Sequence, residues 1–302
     1  MDYICALMIR SRKDGKKPGP KIRGQRPRAM FKTTRPRSSL HSAINIAELI
    51  YHAAVRDVRK SDRNAVLALV KNIMTVIIMV MAFYLLFTVL GLKGMKIRGD
   101  FLLFMMSGIF VYITHIKAMS AVMGAEGPAS PMMQHAPMNT VIAICSAALS
   151  SLYIQVLSLF VVLFIYHVGF VPISIYQPIQ AFGMILTAWF TGVAVGLVLL
   201  AMKPWAPGLV SIIAMIYQRA NMIASGKMFV VNTLPTFMMN MFDWNPLFHI
   251  IDQTRGFVFI NYTPHRTSLE YPYYVGLALL MIGLMAEFYT RQYASSSWEA
   301  KR

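Results

Sequence analysis

The chain alternates long apolar runs with short polar breaks, and the runs have the length of membrane spans. Six stretches, near residues 65–90, 101–119, 140–166, 178–202, 206–225 and 273–289, each offer the roughly 20 apolar residues that a spanning helix needs. The third and fourth are uninterrupted, since the 76 residues 127–202 contain no Asp, Glu, Lys or Arg. The first carries Lys71 near its start, where a lysine can reach back to the headgroups. The second ends on His115 and Lys117, and the fifth is interrupted by YQRAN.

Two other patterns do not span. Residues 39–64, SLHSAINIAELIYHAAVRDVRKSDRN, place Ile46, Leu49, Ile50, Ala53 and Ala54 at helical spacing, with Arg56, Arg59 and Lys60 in the closing turns. That pattern predicts an amphipathic helix lying in the membrane interface. Between the fifth and sixth spans, TLPTFMMNMF and DWNPLFHIIDQTRGFVF are each too short to cross, and they predict two short re-entrant helices. Asn245 followed by Pro246 marks the second start, because Asn caps free backbone N–H groups and Pro suits the first helical position. The expected fold class is an all-α integral membrane protein of six transmembrane helices. Residues 1–38 form a disordered basic tail, 39–64 the interface helix, 65–293 the transmembrane domain and 294–302 a C-terminal tail.

Composition agrees and adds a direction. The chain is 57% hydrophobic and 14% charged, with a mean hydropathy of +0.54, whereas a soluble domain carries about a quarter charged residues. Sixteen of the 29 Lys and Arg lie in residues 1–64, against five of the twelve Asp and Glu. Such a tail fixes topology and touches anionic lipid; no fold surrounds its charges to read a base, so nucleic acid is not an expected partner. Six spans put both termini on one side, and the tail puts that side in the cytoplasm. Lys and Arg then number 20 inside and 6 outside, or 8 and 6 without residues 1–38. The apolar YICALMI precedes its basic residues, the reverse of a signal peptide. Two cysteines, Cys5 and Cys145, exclude a disulfide framework and a cysteine-rich metal site. Gly192 and Gly196, one turn apart, allow close helix approach, either within the chain or between chains.

The stretch 243–259 concentrates two Asp, a His, a Gln, an Arg and an Asn. Leu247, Ile250, Ile251 and Thr254 trace one helical face, and His249, Asp252, Gln253 and Gly256 another. A His249–Asp252 dyad would need a nucleophile, and the stretch has no Ser or Cys. A zinc site would need a third ligand, for which His265 is the nearest candidate. The stretch therefore reads as a structural element whose polar face packs or contacts substrate, with no catalytic and no metal-binding residue expected.

An interface helix, six spans and a re-entrant pair before the last span resemble the membrane subunits of ABC exporters of the ABC-2 type. RDVRKSDRNAVLALVKNI (56–73) is similar to the family's junction between interface helix and first span, and GPASPMMQHAPMNTVIA (127–143) stands where its coupling helix lies. The Leu-Pro, Trp-Asn-Pro-Leu-Phe-His and Arg-Gly of NTLPTFMMNMFDWNPLFHIIDQTRGFVF (232–259) resemble the capsular-polysaccharide branch, with Trp244, Asn245, Pro246, His249, Arg255 and Gly256 as the motif. SLEYPYYVGLALLMIGLMAEFYTRQY (268–293) looks like the closing span. The resemblance covers about residues 45–293. The chain departs from it in its long basic tail and in Lys227, which stands where relatives keep apolar or aromatic residues.

The resemblance implies a permease that exports a lipid-linked capsular or related surface polysaccharide across a bacterial inner membrane. It implies a homodimer of permeases working with a separate ABC-type ATPase subunit. The chain has no G-x-x-x-x-G-K-[ST] phosphate loop of its own, so ATP and its hydrolysis are expected on the partner and no cofactor on this chain. Coupling to the ATPase is expected at Ala125, Glu126, Gly127, Pro128, Pro131 and His135. Substrate-path candidates are Arg219 and Lys227 with the aromatic Phe83, Tyr84 and Phe87, whose rings suit the C–H faces of sugars but equally suit lipid or bundle packing. Arg219, near the middle of the fifth span, either grips a phosphate or acidic sugar or is structural, and a later start of that span makes it interfacial. The alternatives are a membrane-bound enzyme acting through His249, Asp252 and His265, an ABC exporter of a lipid or drug, and an ion-coupled transporter.

Overall fold

The apolar runs fold as helices whose boundaries lie close to the pattern. A computed structural model describes residues 39–61, 65–91, 100–126 and 140–299, with side chains over 44–58, 66–91, 100–126 and 140–293. The chain divides into two compact units, 1–42 and 43–302, and only the opening residues of the first helix are described in the first. The expectations for the tail 1–38 and for Gly127, Pro128, Pro131 and His135 lie outside the described residues.

Among the described residues there are nine α-helices and no strand. They are α1 (Ser39–Ser61), α2 (Ala65–Val89), α3 (Phe101–Met123), α4 (Thr140–Gly169), α5 (Pro178–Met202), α6 (Pro207–Ala224), α7 (Thr236–Phe242), α8 (Pro246–Val258) and α9 (Tyr271–Glu299). Five, α2 to α5 and α9, are long and apolar enough to cross a membrane. The chain is thus a helical protein with the makings of a multi-pass membrane protein. The stretch expected as the fifth span, α6, is not among the five. It has 18 residues, about 27 Å of helix at 1.5 Å per residue, and Gln218, Arg219 and Asn221 interrupt its apolar run. Helix α9 continues past residue 293, where a tail was expected.

Helices α3 and α5 form the centre. The most apolar stretch of α3 is 72% buried and that of α5 67%, against 28% for α2 and 22% for α9. The α3–α5 contact explains the glycine pair: a Cβ on Gly192 would lie 2.4 Å from the His115 carbonyl oxygen, and one on Gly196 2.6 Å from that of Met119. The close approach therefore lies within the chain. Lipid tails are as apolar as leucine, so tight contact of this kind, rather than escape from water, holds spans together. Gly276 and Gly283 of α9 meet Phe190 and Leu197 of α5 in the same way.

Helix α2 buries Ala68, Asn72, Val76, Val80, Phe83 and Phe87, one residue per turn, and exposes Val66, Val70, Met74, Ile78, Met81 and Leu85. Helix α1 keeps Ile44, Ile46, Leu49 and Tyr51 exposed while Ala53 and Val58 are buried. The Ser146 hydroxyl of α4 donates to Asp57 of α1 at 2.8 Å.

After α6 the chain turns at Gly226, whose φ of +77° is a conformation side chains rarely adopt. It then passes a 3-10 turn at Val231–Thr233 and α7 before entering α8. Helix α8 starts as the sequence predicts, with the Asn245 side chain accepting from the Leu247 N–H at 3.0 Å and Pro246 in the first turn. Its last carbonyls, on Phe257 and Val258, accept from the N–H groups of Gln177 (2.8 Å) and Tyr176 (3.2 Å) in the α4–α5 loop. Both ends of this 13-residue helix are thereby satisfied, which lets it lie buried.

Candidate functional site

The polar residues of α8 converge with the α6–α7 turn into one buried cluster. Arg255, in the last turn of α8, is fully buried. Its Nη1 donates to the carbonyls of Gly226 (2.9 Å) and Phe229 (2.7 Å), and its Nη2 to that of Lys227 (2.6 Å). The guanidinium lies 3.9 Å from the centre of the Phe104 ring on α3. Gly108 leaves it room, because a Cβ there would come within 3.0 Å of Nη2. Burial pulls the guanidinium pKa down to about 10, against the opposing charge of Asp252.

Asp252 lies almost one turn earlier and is equally buried. It accepts from the Tyr262 hydroxyl and from the Thr267 hydroxyl at 2.8 Å. Burial raises its pKa; the two hydrogen bonds, Arg255 and His249 act in the other direction. The Tyr262 hydroxyl is raised too, first by burial and then by the carboxylate beside it. Lys227 completes the cluster. Its Nζ is buried without a hydrogen-bond partner, 3.4 Å from the centre of the Tyr112 ring and 5.3 Å from that of Phe83. Burial lowers its pKa to about 7, while the negative faces of the two rings favour the cation.

His249 does not join Asp252 in a dyad. Its Nδ1 accepts from the Ser268 N–H at 3.1 Å, so its proton sits on Nε2 and is donated to the Asp243 carbonyl at 2.6 Å. With both ring nitrogens engaged, the imidazole has no position left for a nucleophile. The His265 side chain is exposed, and its backbone N–H faces Asn232 at 3.5 Å. Among the described residues no three of His, Cys, Asp and Glu gather as metal ligands. Trp244 is exposed, and Gly256 packs where a Cβ would press on Pro264 at 2.7 Å. What this geometry can do is brace: it ties α8 to the α6–α7 turn and to α3.

No protein-family model matches this chain, and no match is found among curated proteins.

The substrate-path candidates separate. Phe83 and Phe87 are core residues, Phe87 meeting Phe101 edge-on with ring centres 5.7 Å apart. Tyr84 is partly exposed, and Lys227 is sealed in the cluster. Arg219 alone stands on an exposed face, in line with Ile212, Met215, Ile216 and Ile223. It has no hydrogen-bond or ion-pair partner among the described residues. Glu287, the carboxylate of the last span, accepts instead from Thr140 at 2.8 Å. Ala125 and Glu126 follow the end of α3 and are partly buried.

Sequence reasoning passed over the hydrogen bonds between spans. The Gln155 amide of α4 donates to Asn72 of α2 at 3.1 Å, and Asn72 donates to Ser158 at 2.8 Å. His115 joins Thr191 (3.1 Å) and Tyr217 (2.8 Å). The signal was present: a polar side chain inside an apolar run has to find a partner in the bundle.

Proposed function

We propose that the chain is the permease subunit of an ATP-driven ABC exporter of the ABC-2 type, moving a lipid-linked capsular or related surface polysaccharide across the bacterial inner membrane. Two copies form the path at their interface, with α6 as the fifth of six spans and both termini in the cytoplasm. A separate ATPase subunit supplies the energy, and residues 125–137 pass its motion to the spans.

The observation that carries this reading is the exposed face of α6. A charge within an apolar helical face is tolerated where it meets a water-filled cavity or a partner. Arg219 has no hydrogen-bond or ion-pair partner among the described residues, so a second copy and an anionic substrate are its natural complements. The thinly covered α2 and α9 leave further apolar surface for such an assembly. Tyr84, whose ring centre lies 6.2 Å from that of Phe101, is the partly exposed member of the aromatic trio and the one assigned to the path.

The test is purification of the chain from its native membranes in mild detergent. A stoichiometric ATP-binding subunit, with ATPase activity stimulated by glycolipid, supports the proposal; a chain that brings no ATPase overturns it. Arg219→Gln should leave that complex intact and abolish export, and normal export by this variant would remove Arg219 from the path.

A further inference from the structure

Helices α4 and α5 both pack on α3 yet barely touch one another. The cleft between them is a cavity of about 380 Å³. Its floor is one face of α3, carrying Leu103, Met106, Ser107 and Phe110, with Thr254 and Val258 of α8 beside it. Leu159, Phe160 and Leu163 of α4 form one wall, and Ile179, Ala181, Phe182 and Ile185 of α5 the other. One end is capped by Ile175 and Pro178, in the stretch that Tyr176 and Gln177 bond to the end of α8. Phe160 and Ile179, on opposite walls, are exposed, so the cleft opens sideways on the flank that α4 and α5 turn outward.

The lining decides what can lie there. Ser107 and Thr254 are the polar side chains in it, and both hydroxyls already donate, to the carbonyls of Phe104 (2.9 Å) and Ile250 (2.7 Å). A buried water needs two to four polar partners, and cavities walled by apolar side chains stay dry and take up hydrocarbon instead. The volume is two to three times the roughly 150 Å³ that accepts one benzene, which is room for about fifteen carbons. Along α3 the floor reaches Phe110, about 14 Å from the start of that helix at 1.5 Å per residue. That is the depth of one leaflet, half of a hydrocarbon core about 30 Å thick. A second copy could cover the cleft but not fill it. A helix with its side chains is about 10–12 Å across, whereas the Phe160 and Phe182 rings, on opposite walls, stand 6.4 Å apart between centres. A flexible chain that slides in beside that pair is what the cleft admits.

We propose that the cleft holds one acyl chain of a bilayer phospholipid, drawn from the leaflet at the face where α3 and α5 begin, and that this chain fills the space between α4 and α5 as a fixed part of the bundle. Recognition is through the tail, because no charged side chain lines the cleft. The site stands apart from the export reading, because it lies inside one chain whereas the path proposed above runs between two.

The test uses the full chain in mild detergent, with lipid retention read by native mass spectrometry. One phospholipid should stay with each chain. After delipidation, dipalmitoyl phosphatidylcholine and dipalmitoyl phosphatidylglycerol should be retained within about twofold of each other, and their dihexanoyl forms at least about fivefold less. Ala181→Phe, which fills the cleft from the α5 wall, should lose the lipid, while Met285→Phe, on the exposed surface of α9, should keep it. The unaltered chain gives an independent reading should Ala181→Phe fail to assemble. Phosphatidylcholine carrying a diazirine at the end of its tail should cross-link to residues 159–163 and 178–185. Cross-links spread over α2 and α9 instead, a lipid that survives in Ala181→Phe, or a headgroup preference beyond twofold overturns the proposal. So does a lipid-free pair of chains whose pairing is lost in Ala181→Phe, which would make a second copy the cover of the cleft.

Discussion

Arg255 and Arg219 are both arginines in apolar helical surroundings, and they are treated in opposite ways. Arg255 is sealed inside the chain, where three backbone carbonyls and an aromatic face receive its guanidinium. Arg219 lies on an exposed apolar face with no hydrogen-bond or ion-pair partner among the described residues. A buried charge held by several acceptors is part of the scaffold, and removing it strands what it was holding. A charge presented outwards without a partner contributes little to the isolated fold and much to whatever meets that face.

The largest expected effect is on the scaffold side. Arg255→Met should lower stability by about 3–5 kcal/mol, the usual consequence of breaking a buried charged network from one end, read as thermal unfolding in detergent. A loss below about 1 kcal/mol would place Arg255 with Arg219 and erase the contrast. Gly192→Leu should follow with about 1–3 kcal/mol or more, because its side chain must displace the His115 carbonyl.

Lys227 offers a pH test of the same cluster. A lysine held near 7 in the folded chain and near 10.5 when unfolded binds fewer protons folded than unfolded between those values. Stability should therefore climb as pH rises from about 7 to 10.5, by at most about 1.4 kcal/mol per unit, and be flat below. The Tyr112 and Phe83 rings oppose burial and narrow the pH range over which that slope applies. Lys227→Met should remove the slope; one unchanged in the variant would assign it to another group. Asn245→Ala should cost about 1 kcal/mol through loss of the α8 cap, with a further part from the broken contact to Asn221. Arg219→Gln comes last, within about 0.5 kcal/mol of the parent chain. A large loss there would show that Arg219 braces the fold after all.

Much of this arrangement was legible in sequence, for identifiable reasons. The span positions followed from apolar runs, and α8 was announced by Asn245 and Pro246 and begins there. The glycine spacing in α5 predicted close approach, though its partner, the backbone of α3 at His115 and Met119, could not be read from α5 alone. The polar face of α8 was legible, but its connections were not. The carbonyls that hold Arg255 belong to residues 226–229, and a carbonyl carries no sequence signal. Phe83 and Phe87 looked equally suited to core, lipid or path, because helical spacing gives a face and not what the face meets. For α6 the six-span reading rested on length, and Gln218, Arg219 and Asn221 are what weaken its apolar character.

The turn held by Arg255 also bears on how the chain is made. The carbonyls of Gly226, Lys227 and Phe229 leave the ribosome 26–29 residues ahead of the side chain that will receive them. At about 5–20 residues per second that is a wait of roughly one to six seconds. During it the far end of α6 is held only by its contacts with α3, such as the Tyr112 hydroxyl donating to the Gln218 carbonyl at 3.1 Å, and the turn after it lacks its guanidinium. Biogenesis therefore has a late checkpoint, because the turn locks only when α8 is synthesised and swings back, so a nascent chain halted before residue 255 should be the form most readily recognised by membrane proteases.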